Sequence, residues 1–292
     1  MIHDFNYHRA TSVQEALSLL EKYKEDTKII CGGQSLLILM RQGLVAPENL
    51  IDIKSVKEMS YIDYDPKQSL RIGSGTIHRE LEKSPLIKKH YPVLAEMEEN
   101  LASVQTRSWG TIGGNLAHGD PAGDPAPILI AANATVKMAS LERARTLPLE
   151  DFSIDIFETA LEEGELLTEI QVPIIPDKTA LAYEKFNIIK NHQGIVSVAA
   201  SITMAEDGLG CKDARIVLGA AAATPLRAKE AEQMLIGEKI DAKLLASAGE
   251  KASEECDPVS DIHATEAYRR FLVKVLTTKI TKKAWEQARA AA

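Results

Sequence analysis

Apolar positions along the chain follow two rhythms, helical and alternating, and each marks an element. Ser12 and Glu15 have the spacing of a capping box, and Val13, Ala16, Leu17 and Leu20 follow at helical intervals, which predicts a helix over about 12–24. The apolar run 28–31 reads as a strand that enters Gly32-Gly33, after which Leu36, Leu37, Leu39 and Met40 line a helix that stops near Gly43. Runs 49–53 and 69–72 read as strands, the second leading into Gly73-Ser74-Gly75, and helical segments follow over 77–84 and 91–102. Asp124-Pro125 has the form of an N-cap with proline at the first helical position, ahead of the apolar stretch 126–132. Strands at 135–139 and 166–173 close the first half, and Pro173 and Pro176 mark a linker. Beyond it, strands over 181–188, 195–204 and 213–221 suit a small antiparallel sheet, and helices over 226–236, 241–254 and 265–290 complete the chain. The layout is α+β, with no internal repeat and no low-complexity segment.

Two glycine pairs carry the candidate chemistry. In Thr111-Ile112-Gly113-Gly114-Asn115 the adjacent glycines allow positive φ and let a ligand approach without meeting a Cβ. Successive free N–H groups on such a turn form an anion site, and the helix predicted after Asp124 adds its positive end to the neighbourhood. The strand, Gly32-Gly33 and helix at 28–43 is a second geometry of the same kind. Neither matches the dinucleotide fingerprint or the Walker loop. Each alone is also an ordinary tight corner; the two together point to one phosphate-bearing ligand that spans both.

Composition narrows the classes. The 292 residues suffice for two domains, and 45% hydrophobic with 26% charged residues is a normal folded balance. Aromatics at 5% and a net charge of −8 argue against a nucleic-acid surface, so a diphosphate must be held by local N–H groups and helix ends. Cys31, Cys211 and Cys256 are unclustered, which rules out a zinc knot or iron–sulfur cluster built from this chain alone and fits a reducing compartment. No signal-peptide core and no membrane-length apolar run is found, and a cytoplasmic protein is expected.

Self-contained catalytic machinery is missing. His118, Asp120 and Asp124 lack a second histidine at ligand spacing, and Ser35 has no identifiable base partner. Cys31 reads as a small buried hydrophobe, and Glu162, Glu163 and Glu165 as a solvated loop. Lys185, on an apolar strand, is either a snorkelling surface lysine or a cation aimed at a ligand; residue pattern alone favours the first. If the chain takes part in catalysis, a cofactor carries the chemistry. A stand-alone NAD(P)-dependent dehydrogenase lacks its Rossmann turn.

Cys31-Gly32-Gly33-Gln34-Ser35-Leu36-Leu37, taken with Thr111-Ile112-Gly113-Gly114-Asn115 and Ala117-His118-Gly119-Asp120-Pro121-Ala122-Gly123-Asp124-Pro125, resembles the FAD-binding medium subunit of the molybdenum hydroxylases. That is the xanthine dehydrogenase and carbon monoxide dehydrogenase group, and the second motif is most similar to carbon monoxide dehydrogenase medium chains. The likeness runs over essentially the whole chain, to Ala223-Thr224-Pro225-Leu226-Arg227. It implies an FAD-binding fold of the vanillyl-alcohol-oxidase/PCMH type over 1–176, with α+β subdomains at about 1–56 and 57–176, and a C-terminal domain over 177–292 with a three-stranded antiparallel sheet and helices. It also implies an oxidoreductase subunit with non-covalent FAD. Its partners would be a molybdenum-cofactor large subunit and a small subunit bearing [2Fe-2S] clusters, in a dimer of heterotrimers. Electrons would pass from those clusters through FAD to NAD⁺, oxygen or a quinone.

By the same resemblance, Ile29, Ile30, Cys31, Gly32, Gly33, Gln34, Ser35 and Leu36 approach the adenosine and pyrophosphate. Thr111, Gly113, Gly114 and Asn115, with Ala117, complete the cradle. Leu101 lies against the flavin ring, and Asp124, Leu167 and Lys185 are further flavin-site positions, a lysine at the ring edge being able to stabilise the anionic reduced flavin. The chain departs from the family at Cys31, where alanine is usual, and at Gln34, where threonine or histidine is usual. In the segment Lys190-Asn191-His192-Gln193-Gly194-Ile195, Gln193 or Ile195 takes the place of a ring-stacking side chain. The rival within this resemblance is a scaffold or nucleotide-binding subunit that has lost its flavin.

Overall fold

Ser12 starts the first helix. In a computed structural model, which describes residues 2–206 and 208–291, its hydroxyl accepts from the Glu15 N–H and the helix runs Val13–Tyr23. The Glu15 carboxylate returns to the N–H and hydroxyl of Thr11, both at 2.8 Å, one residue earlier than the reciprocal bond of a capping box. Ala16, Leu17 and Leu20 are buried in a core with Ile51, Ile53, Val56 and Met59. The strand Asn49–Asp52, buried at all four positions, is the middle of a three-stranded parallel sheet flanked by Asn6–Arg9 and Thr27–Ile30. Parallel neighbours need crossovers, and Val13–Tyr23 and Leu36–Gln42 supply them.

These elements belong to the first of two units, which comprises Met1–His118, Thr135–Phe152 and Thr159–Val172. Its second sheet has five strands in the order Ile62–Asp65, Ser69–Gly73, Leu166–Pro173, Thr135–Ala139, Ala144–Pro148. The two outer strands are not visible in the apolar pattern. They lie at sheet edges with no fully buried position, so nothing selects alternating hydrophobic residues there. The helices His78–Lys83 and Pro92–Asn100 match expectation, and Pro85–His90 between them starts where Ser84 accepts from the Ile87 N–H at 3.3 Å. Leu166–Pro173 carries a bulge between Leu167 and Glu169 where it pairs with Thr135–Ala139.

The second unit comprises Gly119–Ala134, Ser153–Glu158 and Pro173–Ala292. Its sheet has four strands, Thr179–Phe186, Val196–Met204, Cys211–Gly219 and Leu226–Arg227, all antiparallel, and not the three expected. The fourth is only two residues long and was hidden inside the helix expected over 226–236. Leu226 and Arg227 pair with Leu218 and Val217, and the helix itself runs Lys229–Leu235. Glu232 fixes the join, accepting from the Ile216 N–H at 2.8 Å and from Arg227 at 2.6 Å.

Val196–Met204 is buried at seven of its nine positions, so both of its faces are covered. Val198, Ala200 and Ile202 enter a core with Leu272, Val273, Leu276 and Ile280 of the helix Glu266–Ala290. On the other face the short helix Pro125–Ala131 comes close enough that a Cβ on Gly219 would lie 2.9 Å from Pro127 and 2.3 Å from the Ser197 hydroxyl. Among the described residues no helix is long and apolar enough to cross a membrane.

Arg269, on that long helix, ties loops together. Its guanidinium donates to the carbonyls of Ile195 and Ala220 and to Asp261 at 2.7 Å. Burial opposes ionisation of Asp261, but the N–H groups of Ala264 and His263 and the Arg269 charge outweigh it and hold the carboxyl at about 2. A folded-state value below the ordinary 3.8 means that the ionised group stabilises the fold at neutral pH, a contribution lost as pH falls from about 4 to about 2. Asp261→Asn therefore lowers the urea midpoint at pH 7, and the gap from the parent protein closes across that acid window in a pH series.

Candidate functional site

The first glycine corner is built by the strand Thr27–Ile30, which delivers Ile29, Ile30 and Cys31 to Gly32 and Gly33. Gly33 has φ of +68°, the left-handed conformation that glycine adopts without strain. A Cβ on Gly32 would lie 2.5 Å from the Trp109 carbonyl oxygen and 2.7 Å from Gly110 Cα, so no side chain fits there. Ser35 occupies the N-cap of Leu36–Gln42 without a side-chain cap bond. Among the described residues none accepts from the backbone N–H groups of Gly32, Gly33, Gln34, Ser35 or Leu36. A run of such donors beside a left-handed residue is the nest arrangement that takes anionic oxygen.

The second corner differs from the open turn expected of it. Gly113 and Gly114 lie in the helix Ile112–His118 and neither has positive φ. The N–H groups of Ile112, Gly113, Gly114 and Asn115 are taken up by Thr76 O, Ser74 O, Thr111 Oγ1 and Thr111 O at 3.1, 2.9, 3.1 and 2.9 Å. Contact, and not backbone freedom, demands glycine: a Cβ on Gly113 would sit 2.4 Å from Ser74 Cβ. Gly114 is exposed, and a Cβ there meets only the Thr111 hydroxyl, at 2.8 Å.

The two corners meet. The Cys31 thiol is hydrogen-bonded with the Thr111 side chain, and a Cβ on Gly110 would lie 3.4 Å from Gln34 Cγ. Burial pushes the Cys31 thiol up, against the opposing effect of that hydrogen bond, and the sulfur stays protonated. Leu167 reaches the same neighbourhood through Ser74, whose hydroxyl donates to the Leu167 carbonyl at 2.7 Å. Leu101 is buried, and its carbonyl accepts from Arg107 at 2.7 Å, two residues before Trp109. Asn115 is half-buried and Ala117 exposed on the same helix as Gly114. Two contributors escaped the sequence reading: Ser74, masked by its neighbouring glycines, and Trp109, which is 55% exposed with Lys54 over its ring at 5.2 Å.

Asp124 and Lys185 belong to the second unit and form a site of their own. Asp124 stands at the N-cap of Pro125–Ala131, but its side chain makes no cap bond. It accepts from Lys185 Nζ at 2.5 Å and from the Tyr183 hydroxyl at 2.9 Å. The Lys185 and Asp124 side chains are only 6% and 9% exposed, which excludes a snorkelling lysine. Tyr183 was missed, although it lies two residues from Lys185 and therefore on the same face of Thr179–Phe186. Ile195 is packed in the core at 4% exposure, while Gln193 is exposed.

Comparison with known proteins gives this geometry a family. Residues 3–175 match the FAD binding domain in molybdopterin dehydrogenase, and residues 181–284 match the CO dehydrogenase flavoprotein C-terminal domain. The chain belongs to the FAD-binding medium subunits of the molybdenum hydroxylase family. It is 34% identical to subunit alpha of the 6-hydroxypseudooxynicotine dehydrogenase complex of Paenarthrobacter nicotinovorans, over 98% of this chain and 96% of that one. It is 32% identical to the carbon monoxide dehydrogenase medium chain of Hydrogenophaga pseudoflava, over 96% and 97%. A solved structure of carbon monoxide dehydrogenase from that organism, lacking the Mo-pyranopterin moiety of the molybdenum cofactor, superposes with a TM-score of 0.94 over 99% of both chains.

The residues present suit the family's cofactor. FAD offers a diphosphate rich in acceptors, and the Gly32–Leu36 run offers donors without partners beside a corner closed to any Cβ. Gly113→Ala forces the backbone from Ser74 and costs roughly 1–3 kcal/mol, read as a lower thermal midpoint. Lys185→Met leaves a buried carboxylate short of its cation and costs roughly 3–5 kcal/mol in urea unfolding. Adding Asp124→Leu to that variant restores most of the loss.

Proposed function

We propose that this FAD-binding subunit transfers electrons from iron–sulfur clusters of a partner chain to an acceptor such as NAD⁺, oxygen or a quinone. The observation that carries this reading is the run of N–H groups at Gly32–Leu36 without protein acceptors, packed through Gly32 against Trp109 and Gly110, which lead into the second corner. In this reading Ile29 to Leu36 line the adenosine and diphosphate, and Gly114, Asn115 and Ala117 present the open face of the second corner. Leu101 and Leu167 supply apolar contact to the ring, and Asp124 and Lys185 are assigned to the flavin site. The reading divides the chain into an FAD-binding domain over 1–176, with subdomains at about 1–56 and 57–176, and a C-terminal domain over 177–292. The family matches at 3–175 and 181–284 support that division.

When bound, FAD supplies the exchange between one-electron and two-electron carriers. The chain's own part is to hold and tune it. The nest donors bind the diphosphate without any lysine or arginine, which suits a chain of net charge −8. Lys185 keeps a cation out of water, where its field is less screened than at the surface, and Tyr183 and Asp124 fix the position of that charge. No side chain is assigned as acid, base or nucleophile. Burial raises all three thiols, Cys211 to about 12, so none is poised as a nucleophile or metal ligand.

The reading places the subunit in the cytoplasm beside a molybdenum-cofactor large subunit and an iron–sulfur small subunit, in a dimer of heterotrimers. Support comes from the relatives, which are named as medium chains and as subunits of dehydrogenase complexes. Non-covalent FAD follows from the lack of an identifiable attachment residue.

The test is an FAD titration of the purified chain, followed by flavin absorbance after precipitation of the protein. One FAD per chain, released intact into the supernatant, is expected. Gly114→Val places methyl groups on the exposed side of the second corner and weakens FAD by roughly 100-fold, about 2.7 kcal/mol, while thermal unfolding stays near that of the parent. A chain that takes up no FAD, alone or with its partner subunits, sinks the proposal in favour of a scaffold that has lost its flavin.

A further inference from the structure

Arg107 closes the single helical turn Val104–Arg107, and only 4% of it is exposed. A guanidinium taken out of water must spend its donors on oxygen atoms. Its Nη1 donates to the carbonyls of Leu101 and Ala102 at 2.7 and 2.8 Å, and its Nε to Glu82 at 2.9 Å. The side chain therefore folds back over the residues just before its own helix. The turn it grips is strained, since Ala102 has φ of +44°, a left-handed value that is costly for a residue with a Cβ. Two adjacent carbonyls pinned by one nitrogen hold a conformation that the backbone alone disfavours.

Glu82 anchors the far side of that guanidinium. One carboxylate oxygen takes Arg107 and the other takes Arg79. Burial opposes ionisation of Glu82, but the hydrogen bonds from Arg79 and Arg107 outweigh it and hold the carboxyl below the usual range. Glu82 lies on the helix His78–Lys83, and His78, one turn earlier on the same face, serves the other end of the segment. The His78 N–H donates to the Gly110 carbonyl at 3.0 Å, and its ring meets the buried carboxylate of Glu98 at 2.9 Å. Gly110 is the residue packed against Gly32. One short helix thus grips the 101–110 segment twice, at the Leu101–Ala102 turn through Glu82 and Arg107 and at the glycine corner through His78.

We propose that Arg107 is a positioning residue for the flavin ring, setting Leu101 against it while the diphosphate end is left to the Gly110 corner. The inference rests on the FAD reading above, in which Leu101 contacts the ring. The Leu101 N–H donates to the Glu98 carbonyl at 3.2 Å, and its carbonyl is the end that Arg107 fixes. An apolar contact to a ring depends on placement to within about half an ångström, which loosening of the supporting groups loses. Lysine is no substitute here, because a single ammonium does not reproduce the planar fork that serves two carbonyls and a carboxylate at once. The consequence is selective. ADP carries the adenosine and both phosphates of FAD without the ring, so a residue that acts through Leu101 alters FAD binding and spares ADP.

The full chain, stripped of flavin, is titrated with FAD and with ADP by equilibrium dialysis, and the visible absorbance of the bound flavin is recorded. Arg107→Lys and Leu101→Ala are each expected to weaken FAD roughly tenfold, with ADP held within about twofold and the flavin band shifted in the same direction. The double variant is expected to bind FAD no more weakly than Leu101→Ala alone, since both changes remove one contact. Gly114→Val, in contrast, lowers FAD and ADP together. The inference is overturned if Arg107→Lys weakens both ligands alike, which marks a support of the fold, if it binds both as the parent does, or if the losses of the two variants add. Should Arg107→Lys fail to fold, Glu82→Gln, which loosens the guanidinium from its far side, carries the same expectations. A parent chain that takes up no FAD counts against the FAD reading, whereas a flavin-binding parent with an unselective Arg107→Lys counts against this inference alone.

Discussion

The approach of two backbone segments within van der Waals distance at Gly32 is the constraint on which the first unit's site depends. With the Trp109 carbonyl 2.5 Å from where a Cβ would stand, the strand–helix corner and the segment leading into Thr111 are held as one surface. That surface turns one side of the Gly32–Leu36 backbone toward other groups and leaves its N–H donors without protein acceptors. The residues of this run are half-buried, and N–H donors without protein acceptors beside a left-handed glycine are open to an anionic oxygen. The second corner acts as a buttress: its N–H groups are spent on Ser74, Thr76 and Thr111, and Gly113 lets that helix seat against Ser74.

The second unit solves a different problem, which is how to keep a cation buried. Lys185 lies on the strand Thr179–Phe186 with a side chain only 6% exposed, and a charge taken out of water needs a close partner of opposite sign. Asp124 stands at the start of a short helix but gives up the cap role, and its two oxygens serve Lys185 and Tyr183. A weaker helix start is exchanged for a fixed charge. Arg269 plays a comparable part elsewhere in the same unit, using one guanidinium to tie together the loops of Ile195, Ala220 and Asp261.

The division of labour matches a subunit whose chemistry resides in its cofactor. Relatives of similar length are named for carbon monoxide and for 6-hydroxypseudooxynicotine, and this chain superposes on a carbon monoxide dehydrogenase structure with a TM-score of 0.94. Such tolerance is natural in a family whose chemistry resides in a bound cofactor.

Local order determined much of this chain. Helices such as Val13–Tyr23 and Glu266–Ala290, with Ser12 and Thr265 as their caps, follow from periodicity and capping chemistry, which act over a few residues. The two glycine motifs were legible as well, and at Gly32 and Gly113 a Cβ would stand 2.5 and 2.4 Å from neighbouring atoms. Edge strands such as Ile62–Asp65 and the two-residue strand Leu226–Arg227 were hidden, since their ladder partners, and not their own side chains, define them. The reason for Gly113, the pairing of Lys185 with Asp124 across 61 positions, and the contact of Cys31 with Thr111 belong to tertiary structure alone. A residue's sequence neighbours state which conformations it tolerates; which distant group stands a few ångströms away is settled only when the sheets and helices pack.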